Sequence, residues 1–177
     1  MNKVGFVNAL VTSKDVSTVM PVSVSASRGR GSLKVAGEVG VGILASIEAA
    51  TATIARTENT DLSKFDIEFT IPFRVDGESA GFALYAALWS SLTQTPLADN
   101  VAITGVLEPA SLAVLPVDEI IPKLMAAREG GMRGVILPTR NMLDIGLEFN
   151  LCDMFLLPCD DIYSAFACTQ FVNSGLY

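Results

Sequence analysis

Val75-Asp76-Gly77-Glu78-Ser79-Ala80-Gly81 (VDGESAG) runs directly into Phe82 to Leu92, FALYAALWSSL. The second stretch is apolar or small nearly all round, which predicts a helix over about Ser79 to Leu92 that is covered on most sides. The first stretch is a glycine-bearing loop that sets a small polar residue, Ser79, at the mouth of that helix. Two roles fit a serine there. It caps the helix, as serines often do, or it is a nucleophile whose own amide, at the positive end of the helix, helps hold a developing oxyanion. Gly77 and Gly81 let a substrate carbonyl or a neighbouring strand come close. The residues alone leave both roles open.

Outward from this loop, strand and helix signals mix without strict alternation. Val4 to Thr12 reads as a first strand. Met20 to Ala26 alternates strictly, with Met20, Val22, Val24 and Ala26 on one face and Pro21, Ser23 and Ser25 on the other. Glu38 to Thr57, rich in Ala, Ile and Leu, reads as a long helix, and Asp66 to Ile71 as a strand ended by Pro72. Downstream, strands are predicted at Val101 to Leu107, Leu112 to Leu115, Gly134 to Leu137 and Met154 to Leu157. A helix over Glu119 to Glu129 stops at Gly130-Gly131. Asp160-Asp161 caps a last helix reaching about Thr169. With no repeats and no linker, residues 1–177 are expected to form one α+β domain with mixed sheet.

Composition bounds the function. Half of the 177 residues are hydrophobic, and 18% are charged, which argues for a folded chain. Twelve basic residues stand against nineteen acidic, a net charge of −7. A phosphate backbone is repelled by such a surface, and the one basic cluster, Arg28, Arg30 and Lys34, is small. Nucleic acid is therefore not expected as a partner. No uncharged apolar run reaches the roughly 18 residues that span a bilayer, and the first residues lack the features of a signal peptide. A cytoplasmic protein is expected, its surplus apolar surface covered by copies of itself. Cys152, Cys159 and Cys168 show no CxxC spacing and read as reduced and partly buried.

The chain has no histidine, which removes the Ser-His-Asp triad, the Cys-His dyad and histidine-based zinc sites. No phosphate-binding G-x-x-x-x-G-K-[ST] loop is present either. Neither a metal nor another cofactor is expected. If Ser79 is a nucleophile, a lysine must activate it. Lys14, Lys34 and Lys64 sit in polar surroundings. Lys123 stands in Ile120-Ile121-Pro122-Lys123-Leu124-Met125, where burial would favour the neutral amine. A neutral amine accepts a hydroxyl proton; alternatively, the stem lies along the helix flank with its head in water.

Taken together, these segments resemble the proteolytic domain of the Lon family of ATP-dependent proteases. The family carries Asp-Gly-Pro-Ser-Ala-Gly around its nucleophile, and Asp76 to Gly81 is Asp-Gly-Glu-Ser-Ala-Gly. Its Thr-Gly-Glu strand corresponds to Thr104-Gly105-Val106. Its Pro-x-Gly-Gly-x-x-x-Lys segment corresponds to Pro116 to Lys123, with Asp118 and Glu119 in place of the two glycines. Leu124 to Pro138 (LMAAREGGMRGVILP), Val4 to Ser13 and Gly37 to Ala50 match the family's flanking elements. The likeness weakens after about Asn150.

The resemblance implies that Ser79 is the nucleophile, Lys123 the general base and Thr104 a hydrogen-bond partner of the lysine amine. Asp76 is implied to be a supporting acidic residue, with a loop-capping role the alternative, and Gly77 and Glu78 flank the nucleophile. It further implies a polypeptide substrate, a ring of six chains and, with no ATPase region in this sequence, a separate ATPase partner for folded substrates. The carboxylates at Asp118 and Glu119 would raise the lysine's pKa or alter substrate choice. These departures, with Val106 for the family's Glu, motivate an alternative of another class: a catalytically degenerate domain used for assembly or binding. A third expectation is a processing protease with one dedicated substrate.

Overall fold

The computed structural model describes residues 2–146 and 154–173. In chain order the strands are β1 (Phe6–Ser13), β2 (Val16–Arg28), β3 (Leu33–Ala36), β4 (Phe65–Thr70), β5 (Val101–Ile103), β6 (Val106–Glu108), β7 (Ala113–Leu115), β8 (Gly134–Pro138) and β9 (Phe155–Cys159). The helices are α1 (Val41–Thr57), α2 (Gly81–Thr93), α3 (Ile120–Glu129) and α4 (Ile162–Asn173).

β1 and β2 form a hairpin whose register runs from Phe6↔Ser23 to Ser13↔Val16. Its two-residue turn, Lys14-Asp15, takes positive φ at both positions (49° and 64°), the geometry whose twist suits paired strands. The predicted alternation in β2 is present, with Met20, Val22 and Val24 buried and Pro21, Ser23 and Ser25 exposed. β4 pairs antiparallel with the second half of β2, and β3 lies parallel on its outer side. On the other flank β5, β8 and β9 follow β1 in parallel. The result is a seven-stranded mixed sheet, β3-β4-β2-β1-β5-β8-β9, beside a two-stranded sheet of β6 and β7. The fold is α+β.

Burial follows this topology. In the parallel half both faces are covered, as parallel strands require. Val7, Ala9, Val101, Ile103 and Ile136 pack into the larger core with α1, α2 and α4. Their neighbours Leu10, Ala102, Val135 and Leu137 point the other way, onto Ile120, Leu124 and Ala127 of α3. α2 is buried from Gly81 through Leu88, as its all-round apolar sequence predicts. Each large side chain fully buried there contributes roughly 1.5–3 kcal/mol. At the start of α4, the Asp161 carboxylate accepts from the Ser164 amide at 2.8 Å, the predicted cap. The helix runs on to Asn173, past the expected end at Thr169.

Two expectations are corrected. Val101 to Leu107 is not one strand: β5 ends at Ile103, and β6 belongs to the other sheet. The chain turns at Gly105, whose φ of 155° disfavours a side chain, and a Cβ there would lie 2.4 Å from Val114 Cγ1. Second, the short edge strand β3 has no counterpart in the sequence reading. Of the cysteines, Cys159 is buried and Cys168 half-buried, both free, while Cys152 lies outside the described residues. Among the described residues no helix is long and apolar enough to cross a membrane.

Candidate active site

The loop before α2 is tied to the start of α1. Val75 bridges to Val39, and its carbonyl accepts the Gly40 amide at 3.0 Å. Asp76 then places one carboxylate oxygen 2.7 Å from the Gly42 amide and 2.8 Å from the Gly77 amide. The amides of Gly77, Gly42 and Ile43 hold its carboxyl below the usual carboxylate range. Asp76 thus takes the loop-capping role, its negative charge resting at the positive end of α1. Gly42 permits the approach, since a Cβ there would stand 2.6 Å from the Gly77 nitrogen.

Ser79 is half-buried one residue outside α2, whose N-cap is Ala80, with no side-chain cap bond. Its hydroxyl makes no hydrogen bond among the described residues, and its backbone carbonyl is clamped instead. Gly105 donates its amide to that carbonyl at 2.9 Å, while the Gly105 carbonyl accepts the Phe82 amide at 3.0 Å. The turn between β5 and β6 therefore grips the entry to α2 from both sides. The amides of Glu78 and Ser79 donate to no protein acceptor among the described residues.

Lys123 is 3% exposed, in the first turn of α3. Pro122 is tolerated just before it because first-turn amides have no intrahelical acceptor. Burial moves the Lys123 pKa below the ordinary lysine value, against the opposing fields of Glu119 and Asp118. The Lys123 Nζ donates to the Asp118 carbonyl at 2.8 Å. The alternative with the amine in open water is thus not what forms.

Thr104 is fully buried, but its hydroxyl lies 3.4 Å from the Leu10 carbonyl and 3.3 Å from the Ser79 carbonyl. It makes no hydrogen bond to Lys123, contrary to the role the resemblance implied. As a donor the hydroxyl finds these two carbonyls in β1 and in the loop before α2, and it fixes the Ser79 backbone rather than the amine.

Ser79 and Lys123 line one cleft of about 460 Å³, together with Thr12, Asp76, Gly77, Glu78, Asp118 and Glu119. The cleft lies at the carboxyl ends of the parallel strands β1 and β5, where open α/β sheets commonly bind ligands. Sequence reasoning missed Asn141, which is 1% exposed. Its side-chain oxygen accepts from the Val117 amide at 2.9 Å, and its nitrogen donates to the Val117 carbonyl at 2.8 Å. The amide imitates a strand neighbour and so fixes the segment that carries Asp118 to Lys123. Its only sequence signal is an asparagine shortly after a strand-ending proline, which also reads as an ordinary turn.

Chemically, the cleft combines a hydroxyl and two backbone amides that have no protein partner among the described residues with a buried amine whose pKa is lowered. A profile of the family described as Lon protease (S16) C-terminal proteolytic domain matches residues 1–149. The archaeal Lon protease of Methanothermobacter thermautotrophicus is 32% identical over 160 residues, covering 86% of this chain and 25% of that protein. That of Thermococcus kodakarensis is 32% identical over 154 residues, 82% of this chain and 24% of its own length. The Lon protease of Escherichia coli is 33% identical over 153 residues, 81% of this chain and 19% of its own. The chain thus spans a quarter or less of these relatives. With the profile match across most of its length, and with Ser79 and Lys123 in one cleft, the chain belongs to the Lon protease (S16) proteolytic-domain family.

Proposed function

We propose that this chain is a serine endopeptidase working through Ser79 and Lys123. The observation that carries the reading is the shared cleft: an uncapped serine and a buried lysine, in a chain without histidine. In the first half-reaction the Lys123 amine takes the Ser79 proton as Oγ adds to the scissile carbonyl. The amides of Glu78 and Ser79 are the available donors to the oxyanion. Collapse expels the amine product, which takes the proton from Lys123 and leaves an acyl ester on Ser79. Water then gives its proton to Lys123, adds to the ester and releases the acid, and the proton returns to Ser79. Asp76 and Thr104 position the loop without touching the reacting atoms. Unstructured or partner-delivered polypeptides are the substrate class. Self-association, in the ring of six that the resemblance implies, and a separate ATPase partner belong to the same proposal.

A phosphonofluoridate probe tests the reading. The expected result is a single adduct on Ser79, found by peptide mapping, and none in Ser79→Ala. The alternative, a degenerate module, draws support from the bond between Lys123 and the Asp118 carbonyl, which stabilises the protonated amine. No labelling, with no hydrolysis of unfolded protein, would favour it. A pH experiment bears on the same question. Glu119 and Asp118 raise the Lys123 pKa, and the base works only when neutral, so activity rises with pH through that pKa. Asp118→Asn with Glu119→Gln is therefore expected to move the acid limb of kcat/KM to lower pH. An unmoved limb would mean that it reports another group.

A further inference from the structure

Glu78, Asp118 and Glu119 are exposed residues of the cleft, and among the described residues none has a hydrogen bond or an ion pair to its carboxylate. Asp76 has committed its charge to the start of α1, and Lys123, the single cation lining the cleft among the described residues, is buried. The space in front of Ser79 therefore carries three exposed carboxylates against one buried amine, whose pKa Glu119 and Asp118 raise. A side pocket of about 90 Å³ adjoins it, sharing Glu78 and Val106 with the cleft and walled by Ala45, Ala49 and Leu107. Its lining, which also includes Ser46, mixes apolar and polar groups with Glu78 among them, and a hydrocarbon stem with a cationic head suits both. On the far side of Thr12 and Asp76 the polarity reverses, where a depression of about 560 Å³ holds Lys14 and Arg74.

The geometry points to Glu78, Asp118 and Glu119 as specificity-determining residues that select polypeptides with lysine or arginine beside the bond presented to Ser79. This inference rests on the proposed peptidase reading for its site, and it names the substrate class of that site. The stem of the substrate residue lies along Ala45, Ala49 and Leu107, and its head meets the carboxylates. Glu119 has a φ of 57°, so the chain holds a carboxylate there in a conformation that glycine adopts more easily. Exposed pairs of this kind are individually weak, and salt weakens them further.

The test reads affinity separately from turnover. Fluorescent unstructured peptides identical but for a central Lys, Ala or Glu are titrated against Ser79→Ala protein by anisotropy. Wild-type protein is used in parallel to map cleavage sites in an unfolded substrate by mass spectrometry. The expected result is roughly tenfold tighter binding of the Lys peptide than of the Glu peptide at low ionic strength, shrinking in about 0.5 M salt. Glu78→Gln/Asp118→Asn/Glu119→Gln should erase the ratio, and each single substitution should reduce it, so the result does not depend on the triple variant folding. Equal affinities, or a ratio untouched by every substitution, would overturn the inference. Selective binding without any hydrolysis would instead remove the peptidase reading and leave the selectivity standing. Hydrolysis with no enrichment of Lys or Arg at the cut sites would do the reverse.

Discussion

Lys123→Met is expected to reduce peptide hydrolysis by about 10³-fold or more while making the protein harder to unfold. Loss of a general base alone removes roughly 10²–10⁴ in rate, and in the proposed mechanism the base also serves the second half-reaction. The gain in stability has a separate origin. Lys123 is 3% exposed, and burial holds its pKa below the ordinary lysine value. The unfolded chain therefore binds this proton more tightly than the native chain. The destabilisation is complete below the native pKa and vanishes as pH rises toward the unfolded one. Methionine fills similar space without a charge, so its advantage is largest below the native pKa of Lys123 and fades as pH rises toward the ordinary lysine value. Against it stands the lost bond to the Asp118 carbonyl. A net gain of about 1 kcal/mol corresponds to roughly 2–4 °C in Tm for a chain of this size. Unchanged hydrolysis would remove Lys123 from the mechanism. A fall in Tm at neutral pH would show that its bond to Asp118 outweighs the burial of its charge.

Most of the fold was legible because its signals are local. The alternation of β2 and β4 and the all-round apolar character of α2 follow from which faces are buried, and a sequence displays that directly. β3 was not legible, since its four residues are mostly exposed and are a strand only because β4 lies beside them in parallel. Within Val101 to Leu107, residue preferences favour one continuous strand. The break at Gly105 arises from contacts with Val114, α2 and Ser79, which are distant in the chain. The site divides in the same way. Ser79 and Lys123, the pair proposed for the chemistry, are singled out in the sequence by a glycine-flanked serine, an apolar-flanked lysine and a missing histidine. The hydroxyl of Thr104 could not be assigned, because its carbonyls belong to β1 and to the loop before α2. Asn141 was invisible for a related reason: only the folded chain shows that it completes the pairing of Val117.

Gly105→Ala is expected to be the most damaging single methyl group in the site. The added Cβ would stand 2.4 Å from Val114 Cγ1 and 3.5 Å from Phe82 Cβ. Val114 is 4% exposed and β-branched, so it has little freedom to turn away. The φ of 155° adds strain that no movement of Val114 relieves. Together, overpacking and backbone strain suggest a loss of about 2–4 kcal/mol, or roughly 5–12 °C in Tm. Function should suffer beyond that loss, because Gly105 holds both the Ser79 carbonyl and the Phe82 amide. Any shift that accommodates the methyl group moves Ser79, the proposed nucleophile, relative to Lys123, and a displacement of about 1 Å lowers rates about 10²-fold. The decisive comparison is Gly105→Ala/Val114→Ala, assayed well below its melting temperature. Removing the valine methyls relieves the steric part but not the backbone strain, so stability should return in part while kcat stays depressed. Full recovery of kcat with Val114→Ala would show that the backbone conformation at Gly105 does not hold Ser79 in place, and a Gly105→Ala protein with native Tm would refute the packing argument itself.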